Sequence, residues 1–202
     1  MICTSCYREI DSKAFKDNAC SISGDRGKMV DYEGYCYPAL APKKSFWEVW
    51  HSNMGKISDR ENAKYYIDKY YEEVLSKLDV NKVYSMLDNK ILLCYEAAGD
   101  FCHRHIVAAW FELYLDIPVP EVKQNGNELT VAHRGNFIKD YLEEVIKRNV
   151  DMKGFNTLYS LNLYEKSKKL EENAMNNSDI ELSKYLNSLA FESDVKPKTK
   201  SL

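Results

Sequence analysis

"KILLCYEAAGDFCHRH", residues 90–105, is the stretch that decides the fold. Its first part, "KILLCYE" (90–96), is an apolar run without polar alternation, which is typical of a strand covered on both faces in a parallel sheet. Gly99 and Asp100 indicate a turn, and Asp100 can cap a helix that runs to about Tyr114. We therefore predict a strand, a turn and a helix in this order.

The sequence before this stretch contains further strands and helices. "MICTSCY" (1–7) and "ACSISG" (19–24) are short β-prone runs, and "SDRE" (58–61) is a capping box that opens an apolar helical stripe. We also predict helices over 45–53 and near Asn81–Leu87, an ordered loop over 25–44, and a last or edge strand in "IPVPEV" (117–122). Strands that alternate with helices predict an α/β layer with a mainly parallel sheet.

The chain divides by composition into three parts. Residues 1–123 form the predicted α/β core, and "KQNGNE" (123–128) is a turn-rich connector. Residues 124–192 are predicted to be a helical extension that includes a second capping box, "SDIE" (178–181). Residues 193–202 are polar and are predicted to be a flexible tail.

The composition of the 202-residue chain limits its partners. The net charge of −3 gives no general attraction to nucleic acid. The N-terminus lacks the pattern of a signal peptide, and no apolar stretch is long enough to span a membrane. We predict a cytoplasmic protein without a membrane partner, whose six cysteines are reduced thiols rather than disulfides.

The polar residues of the opening stretch are expected to meet at one edge of the sheet. Cys94 and Glu96 lie two positions apart at the end of the strand, so their side chains point the same way. Cys102, His103 and Arg104 lie in the first turn of the following helix, where free N–H groups favour an anion and a thiolate. Ligands of open α/β sheets bind at this edge.

Three interpretations of this cluster stay open. In a reaction centre, Cys94 or Cys102 is the nucleophile, Glu96 or His103 carries the proton, and Arg104 clamps an anion. In a zinc site, the two cysteines and His103 or His105 join Cys3 and Cys6, but the spacing supports this set weakly and we predict neither a metal nor another cofactor. In a purely structural interpretation, the cysteines are small buried side chains.

Two longer motifs resemble a known family. "LLCYE" (92–96), followed by "GDFCHRHIVAAW" (99–110), is similar to the signature of the bacterial "domain of unknown function 488" proteins. "YEGYCYPALAP" (32–42) resembles the Tyr-x-Gly-x-x-Tyr-x-x-Leu-Ala-Pro loop of that family, and "SISG" (21–24) resembles its Ser-Ile-x-Gly strand end. The resemblance covers about residues 1–121, although Cys3 and Cys6 stand where the family has aromatic residues.

The resemblance implies a Rossmann-like fold and a site, but no particular reaction. The polar residues shared with the family are Cys94, Glu96, Cys102, His103 and Arg104. It further implies that the tyrosine-rich loop covers the strand end.

Four residues are then expected to contact the ligand. Ser23 and Gly24 lie at the end of the second strand, and Tyr32 and Tyr37 of the loop would supply hydroxyl groups.

Two functions follow as expectations. The first is a pocket that binds an anionic small molecule, a nucleotide or nucleoside, and can hydrolyse this ligand. The second is a non-enzymatic scaffold or sensor whose helical extension binds a protein partner or forms a homodimer.

Overall fold

In the computed structural model of the protein, the structure describes residues 1–126 and 128–153, and the fold below concerns these residues. The chain separates into two units, Met1–Val145 and Ile146–Leu202. The part of the predicted helical extension after residue 153, with its capping box at 178–181, and the tail at 193–202 lie outside the described residues, so these predictions stay open.

Within the described residues, six strands form one sheet in the order β3-β2-β4-β1-β5-β6. The strands are β1 (Cys3–Cys6), β2 (Ala19–Ser21), β3 (Tyr35–Cys36), β4 (Ile91–Cys94), β5 (Glu121–Asn125) and β6 (Glu128–Ala132). All neighbouring pairs are parallel except β5 and β6. The described helices are α1 (Lys44–Asn53), α2 (Asp59–Glu73), α3 (Val80–Met86), α4 (His103–Leu115) and α5 (Phe137–Lys153). The predicted Rossmann-like, three-layer α/β fold is confirmed.

The central strand β4 explains why the apolar run 91–94 is decisive. All four of its residues are buried, as expected for a strand that has neighbours on both sides and is covered on both faces. Its register with β1 places Cys6 beside Cys94. Since β1, β2 and β4 are parallel, their carboxyl ends lie at the same edge of the sheet, next to the start of α4.

The predicted connector over 123–128 is wrong. Residues 121–125 and 128–132 form an antiparallel hairpin, so β5 is an internal strand and β6 is the edge. The physical reason is the Asn125–Gly126 pair, because Gly126 adopts a positive φ of 62° that a tight hairpin turn requires.

The predicted capping of α4 by Asp100 is also wrong. Asp100 still belongs to a turn in which its N–H donates to the carbonyl oxygen of Ala97. The helix begins at His103, and Cys102 is the N-cap residue without a side-chain bond to the first turn. The Cys102 side chain therefore does not cap α4.

Aromatic packing between the helices supports the start of α4. Tyr66 and Tyr70 of α2 pack edge-to-face against Phe46 of α1, with ring centroids 5.1 and 6.1 Å apart. The Tyr70 ring also packs against the edge of His103, at 5.7 Å. Because these rings are buried, they restrict the rotation of the His103 imidazole.

Replacing Ser58 by alanine should lower the free energy of unfolding by about 1 kcal/mol. The Ser58 hydroxyl accepts from the Glu61 N–H and the Glu61 carboxylate accepts from the Ser58 N–H, so the predicted capping box is confirmed. Urea unfolding measures the loss. Ser52→Ala is the matched control, because the Ser52 hydroxyl bonds only the carbonyl of Val49 in its own helix. Equal stabilities of the two variants would contradict the prediction.

None of the helices in the described part of the chain combines the length and the hydropathy needed to cross a bilayer.

Candidate functional site

A cavity of about 650 Å³ opens at the carboxyl end of β4. Its floor carries the thiols of Cys94 and Cys102, with Glu96 and His103 beside them. Its other walls are mainly aromatic, and they are formed by Trp47, Trp50, Tyr66, Tyr95 and Phe101. Ser23 and Gly24, at the end of β2, also line this cavity. The cavity lies at the sheet edge where the sequence predicted a ligand.

The hydrogen bonds of His103 assign its tautomer. Its Nε2 lies 3.0 Å from the carbonyl oxygen of Ile22, and because a carbonyl can only accept, Nε2 carries the proton. Its Nδ1 lies 3.5 Å from Cys94 Sγ and 3.9 Å from Cys102 Sγ. The unprotonated nitrogen of a neutral His103 therefore faces both thiols and can accept a proton from either one.

Cys102 is the thiol that the site ionises. Burial alone would raise the pKa of Cys102, but the hydrogen bond with Cys94 and the positive charge of Arg104 lower it well below the ordinary value. Burial likewise would lower the pKa of His103, while its bond to the Cys102 thiolate raises the pKa above the ordinary value. The hydrogen bond to Cys102 and burial raise the pKa of Cys94, which stays a neutral thiol. The favoured state is a thiolate–imidazolium pair.

Glu96 is the second proton carrier of the site. Its Oε2 lies 2.8 Å from Cys102 Sγ, which is within hydrogen-bond distance. Burial, and then the negative charge of Cys102, raise the pKa of Glu96 to about 6. A carboxyl group with such a pKa can both donate and accept a proton near neutral pH.

Arg104 does not occupy the position that the sequence predicted for an anion clamp. It does not line the cavity, and its side chain is fully buried. Its Nε and Nη2 donate to the Glu121 carboxylate, with Nη2 2.9 Å from Oε1. Glu121 also accepts from the Thr4 hydroxyl at 2.6 Å. Arg104 therefore acts on the site through its charge, from behind the cavity floor.

Two predicted ligand residues also lie elsewhere. The Tyr32 hydroxyl donates to the carbonyl of Tyr35, and the Tyr37 hydroxyl lies 3.7 Å from the sulfur of Met86. Neither tyrosine lines the cavity, and of the loop 32–42 only Pro42 reaches it. The two hydroxyl groups bond within the loop and to α3, so they are not directed into the cavity.

Other residues of this region were not predicted from the sequence. Asp25 lines the cavity, accepts from the Tyr95 hydroxyl and holds the turn after β2 through the N–H of Gly27. A left-handed Gly27, with φ of 81°, shapes this turn, and a Cβ there would lie 2.6 Å from the Cβ of Tyr32. The "SGDRG" run could have indicated a tight turn.

No local signal links Glu121 to Arg104, because they lie 17 positions apart on different elements.

The donor set could also hold a metal ion. The Sγ atoms of Cys94 and Cys102 and a ring nitrogen of His103 lie within 4.8 Å of one another. Cys3, Cys6 and His105 are not in this set, so the wider zinc site considered from the sequence does not form in the described residues. Two positions three apart in a strand face opposite sides, which separates Cys3 from Cys6. The two sulfur atoms and His103 Nδ1 already lie within hydrogen-bond distance of one another or of Glu96, so the geometry does not require an ion.

The fold and the site together define a class: a Rossmann-like α/β domain with a buried thiol–histidine pair at the carboxyl edge of its sheet. Residues 20–115 match the family model DUF488-N3a, described as "Active DUF488-N3 subclade". The resemblance to DUF488 is thus confirmed over residues 20–115. No curated protein and no solved structure gives a significant match to the chain.

Proposed function

We propose that the protein is a thiol-dependent hydrolase that binds a nucleoside-like small molecule in the cavity at the end of β4. The observation that carries this proposal is the position of His103 Nδ1 between the two thiols while Nε2 donates to a fixed carbonyl. A nucleophile, a base and a group that orients the base are the recurring parts of covalent catalysis. The word "Active" in the description of the matching family model agrees with an enzyme.

The size and lining of the cavity support the ligand class. A volume of about 650 Å³ lies in the range of small-molecule sites. Trp47, Trp50 and Phe101 offer flat apolar faces on which a planar base can stack. The rings of Trp50 and Phe101 have centroids 5.9 Å apart, and Trp47 is 42% exposed, with one of its faces stacked on His51.

The charges of the cavity favour a nucleoside over a nucleotide. Asp25 and Glu96 contribute carboxyl groups, whereas Lys44 is the basic side chain that lines the cavity apart from His103. Arg104 is paired with the Glu121 carboxylate and does not line the cavity. Carboxylates accept hydrogen bonds from sugar hydroxyls and repel phosphates. The anionic ligand expected from the sequence is therefore not the one we propose.

The proposed reaction proceeds in two steps. The Cys102 thiolate attacks an electrophilic carbon of the ligand, a sulfur–carbon bond forms, and the leaving group departs with the proton of His103. Water then attacks the same carbon, the sulfur–carbon bond breaks, and Glu96 or His103 accepts the proton of the water. Water supplies the atoms of hydrolysis, so no oxidant or reductant is needed. The positive end of the α4 dipole, at the first turn of the helix, favours negative charge that develops nearby.

The proposal is tested by binding and turnover with a panel of nucleosides and their 5′-phosphates. Nucleosides should quench the fluorescence of Trp47 and Trp50, and the matching phosphates should bind more weakly. Chromatography of the incubated mixtures detects hydrolysis. Absence of both quenching and turnover across the panel would reject the nucleoside class, and turnover that survives Cys102→Ala would reject the thiol mechanism.

Replacing Glu96 by glutamine should stabilise the fold at pH 8 and have little effect on stability at pH 5. Because the folded-state pKa of Glu96 is raised from the ordinary 4.5 to about 6, its contribution to stability is fully present below pH 4.5 and is lost as the pH rises through 6. Ionised Glu96 costs roughly 1 kcal/mol after screening by solvent, or on the order of 2–4 °C in Tm.

Thermal unfolding at the two pH values measures this difference. Glu48→Gln, at an exposed ion pair of α1, is the matched control and should show no such change with pH. A Glu96→Gln protein that is less stable than the wild type at pH 8 would show that the carboxylate is structural.

We also propose that the protein works in the cytoplasm, where its thiols stay reduced. All six cysteines are free, and Cys102 must be unoxidised to attack a ligand. Self-association through the C-terminal segment stays a prediction, because that segment lies outside the described residues.

A further inference from the structure

A second cavity, of about 190 Å³, lies at the start of α5, and we name it the Arg134 pocket. It is lined by His105, Glu112, Arg134, Asn136 and Lys139, together with small and apolar neighbours. This volume is too small for a nucleoside but sufficient for an ion of phosphate size. None of the cavity-lining residues of the proposed thiol site lies in the Arg134 pocket.

Two buried nitrogen atoms in this pocket lack hydrogen-bond partners among the described residues. The first is Arg134 Nη1, although Nη2 of the same guanidinium donates to Glu112. The second is Nε2 of His105, on a side chain that is only 3% exposed, but this atom lies 3.3 Å from Glu121 Oε2, so Arg134 Nη1 is the one of the two that is left for a ligand. Buried N–H donors are almost always paired, so the unpaired N–H of a guanidinium that lines this pocket indicates an acceptor from outside the chain.

The charges of the pocket favour a negative ligand. Arg134 and Lys139 both contact Glu112, with Lys139 Nζ 3.2 Å from its Oε2. Glu112 also accepts from the backbone N–H of Val119 at 3.2 Å, so its acceptor capacity is divided among three donors. Two cations therefore face one carboxylate. The start of α5, next to Asn136, adds the positive end of a helix dipole.

We propose that the Arg134 pocket binds a small tetrahedral oxyanion of the phosphate class. The free edge of the Arg134 guanidinium would donate to one oxygen, and Lys139 would approach from the more exposed side. The first N–H groups of α5 would complete the contacts. This site is independent of the proposed thiol chemistry, because it uses none of the groups that carry that reaction.

Isothermal titration calorimetry with inorganic phosphate, sulfate and acetate at constant ionic strength tests the proposal. The wild-type protein should bind phosphate and sulfate saturably and acetate much more weakly, because a carboxylate offers fewer oxygens. Arg134→Gln should weaken phosphate binding roughly ten- to a hundredfold, as expected for the loss of a charge-assisted hydrogen bond. Lys56→Gln, at an exposed lysine outside the pocket, should bind like the wild type.

A second variant keeps the test decisive if Arg134→Gln fails to fold. Lys139 is about half exposed, so Lys139→Gln should fold normally and weaken phosphate binding several-fold. The proposal is overturned if the wild-type protein shows no saturable phosphate binding. It is also overturned if a folded Arg134→Gln protein, or Lys139→Gln, binds phosphate as tightly as the wild type. Glycerol phosphate distinguishes a free ion from a phosphate ester, since the pocket has room for only the smaller of the two.

Discussion

Replacing Cys102 by alanine is expected to abolish turnover of any ligand that the wild-type protein hydrolyses, by on the order of 10³-fold or more. The thiolate is the nucleophile of the proposed reaction, and neither Cys94 nor Glu96 can replace it in the same position. The Cys94 thiol is held neutral, because its hydrogen bond to Cys102 and its burial raise its pKa.

Alkylation by iodoacetamide tests the same thiol without knowledge of the ligand. At pH 6 an ordinary thiol is almost entirely protonated and reacts slowly, whereas Cys102 should react at least about tenfold faster because its pKa is well below the ordinary value. Mass spectrometry of the digested protein identifies the labelled cysteine. His103→Ala should slow the labelling of Cys102 only in part, because the hydrogen bond with Cys94 and the charge of Arg104 still lower its pKa.

Cys36→Ala is the matched control for both measurements. Cys36 is partly exposed and lies on β3, outside the cavity lining, so its loss should change neither turnover nor labelling at pH 6. If Cys36 or another cysteine carries the label at pH 6 while Cys102 stays unmodified, the assignment of the nucleophile is wrong.

Replacing Arg104 by methionine is expected to lower the free energy of unfolding by about 3–5 kcal/mol. The Arg104 and Glu121 side chains are 0% and 1% exposed, so removal of the cation leaves an uncompensated carboxylate in the interior. Thermal and urea unfolding measure the loss, which corresponds to a fall in Tm of roughly 10 °C for a chain of this length.

The double variant Arg104→Met/Glu121→Met separates charge from packing. An apolar pair of similar volume carries no desolvation penalty, so the double variant should be more stable than Arg104→Met alone. Lys69→Met, at the exposed Lys69–Glu72 pair of α2, should change stability by less than about 1 kcal/mol. A double variant that is as unstable as the single one would show that shape, rather than charge, makes Arg104 necessary.

The fold was predictable where local patterns were strong. The apolar run 91–94 has no polar alternation because both faces of β4 are buried, and the capping box at Ser58 marks the start of α2 through bonds within four residues. The hairpin of β5 and β6 was missed although Asn125–Gly126 is a hairpin signal, because the following strand is largely exposed: Val131 is 76% exposed, so little apolar pattern marks it.

The candidate site was predictable only in part. Cys94, Glu96, Cys102 and His103 meet because one strand, one turn and one helix bring them together, and that local arrangement can be read from the sequence. The partner of Arg104 could not be predicted, since the pairing depends on how β5 lies beside β1. The orientation of Tyr32 and Tyr37 depends on bonds inside an irregular loop, for which the sequence carries no periodic pattern.

The buried pair of Arg104 and Glu121 also fixes how far the chain can be shortened. The family match ends at residue 115, six positions before the carboxylate that neutralises Arg104. A fragment that stopped where the match stops would retain every residue of the thiol pair, yet it would leave a charged guanidinium in an apolar interior and one side of β1 without its neighbour. We therefore expect the smallest unit that folds autonomously to extend beyond the family match at least to Glu121, because this carboxylate neutralises Arg104.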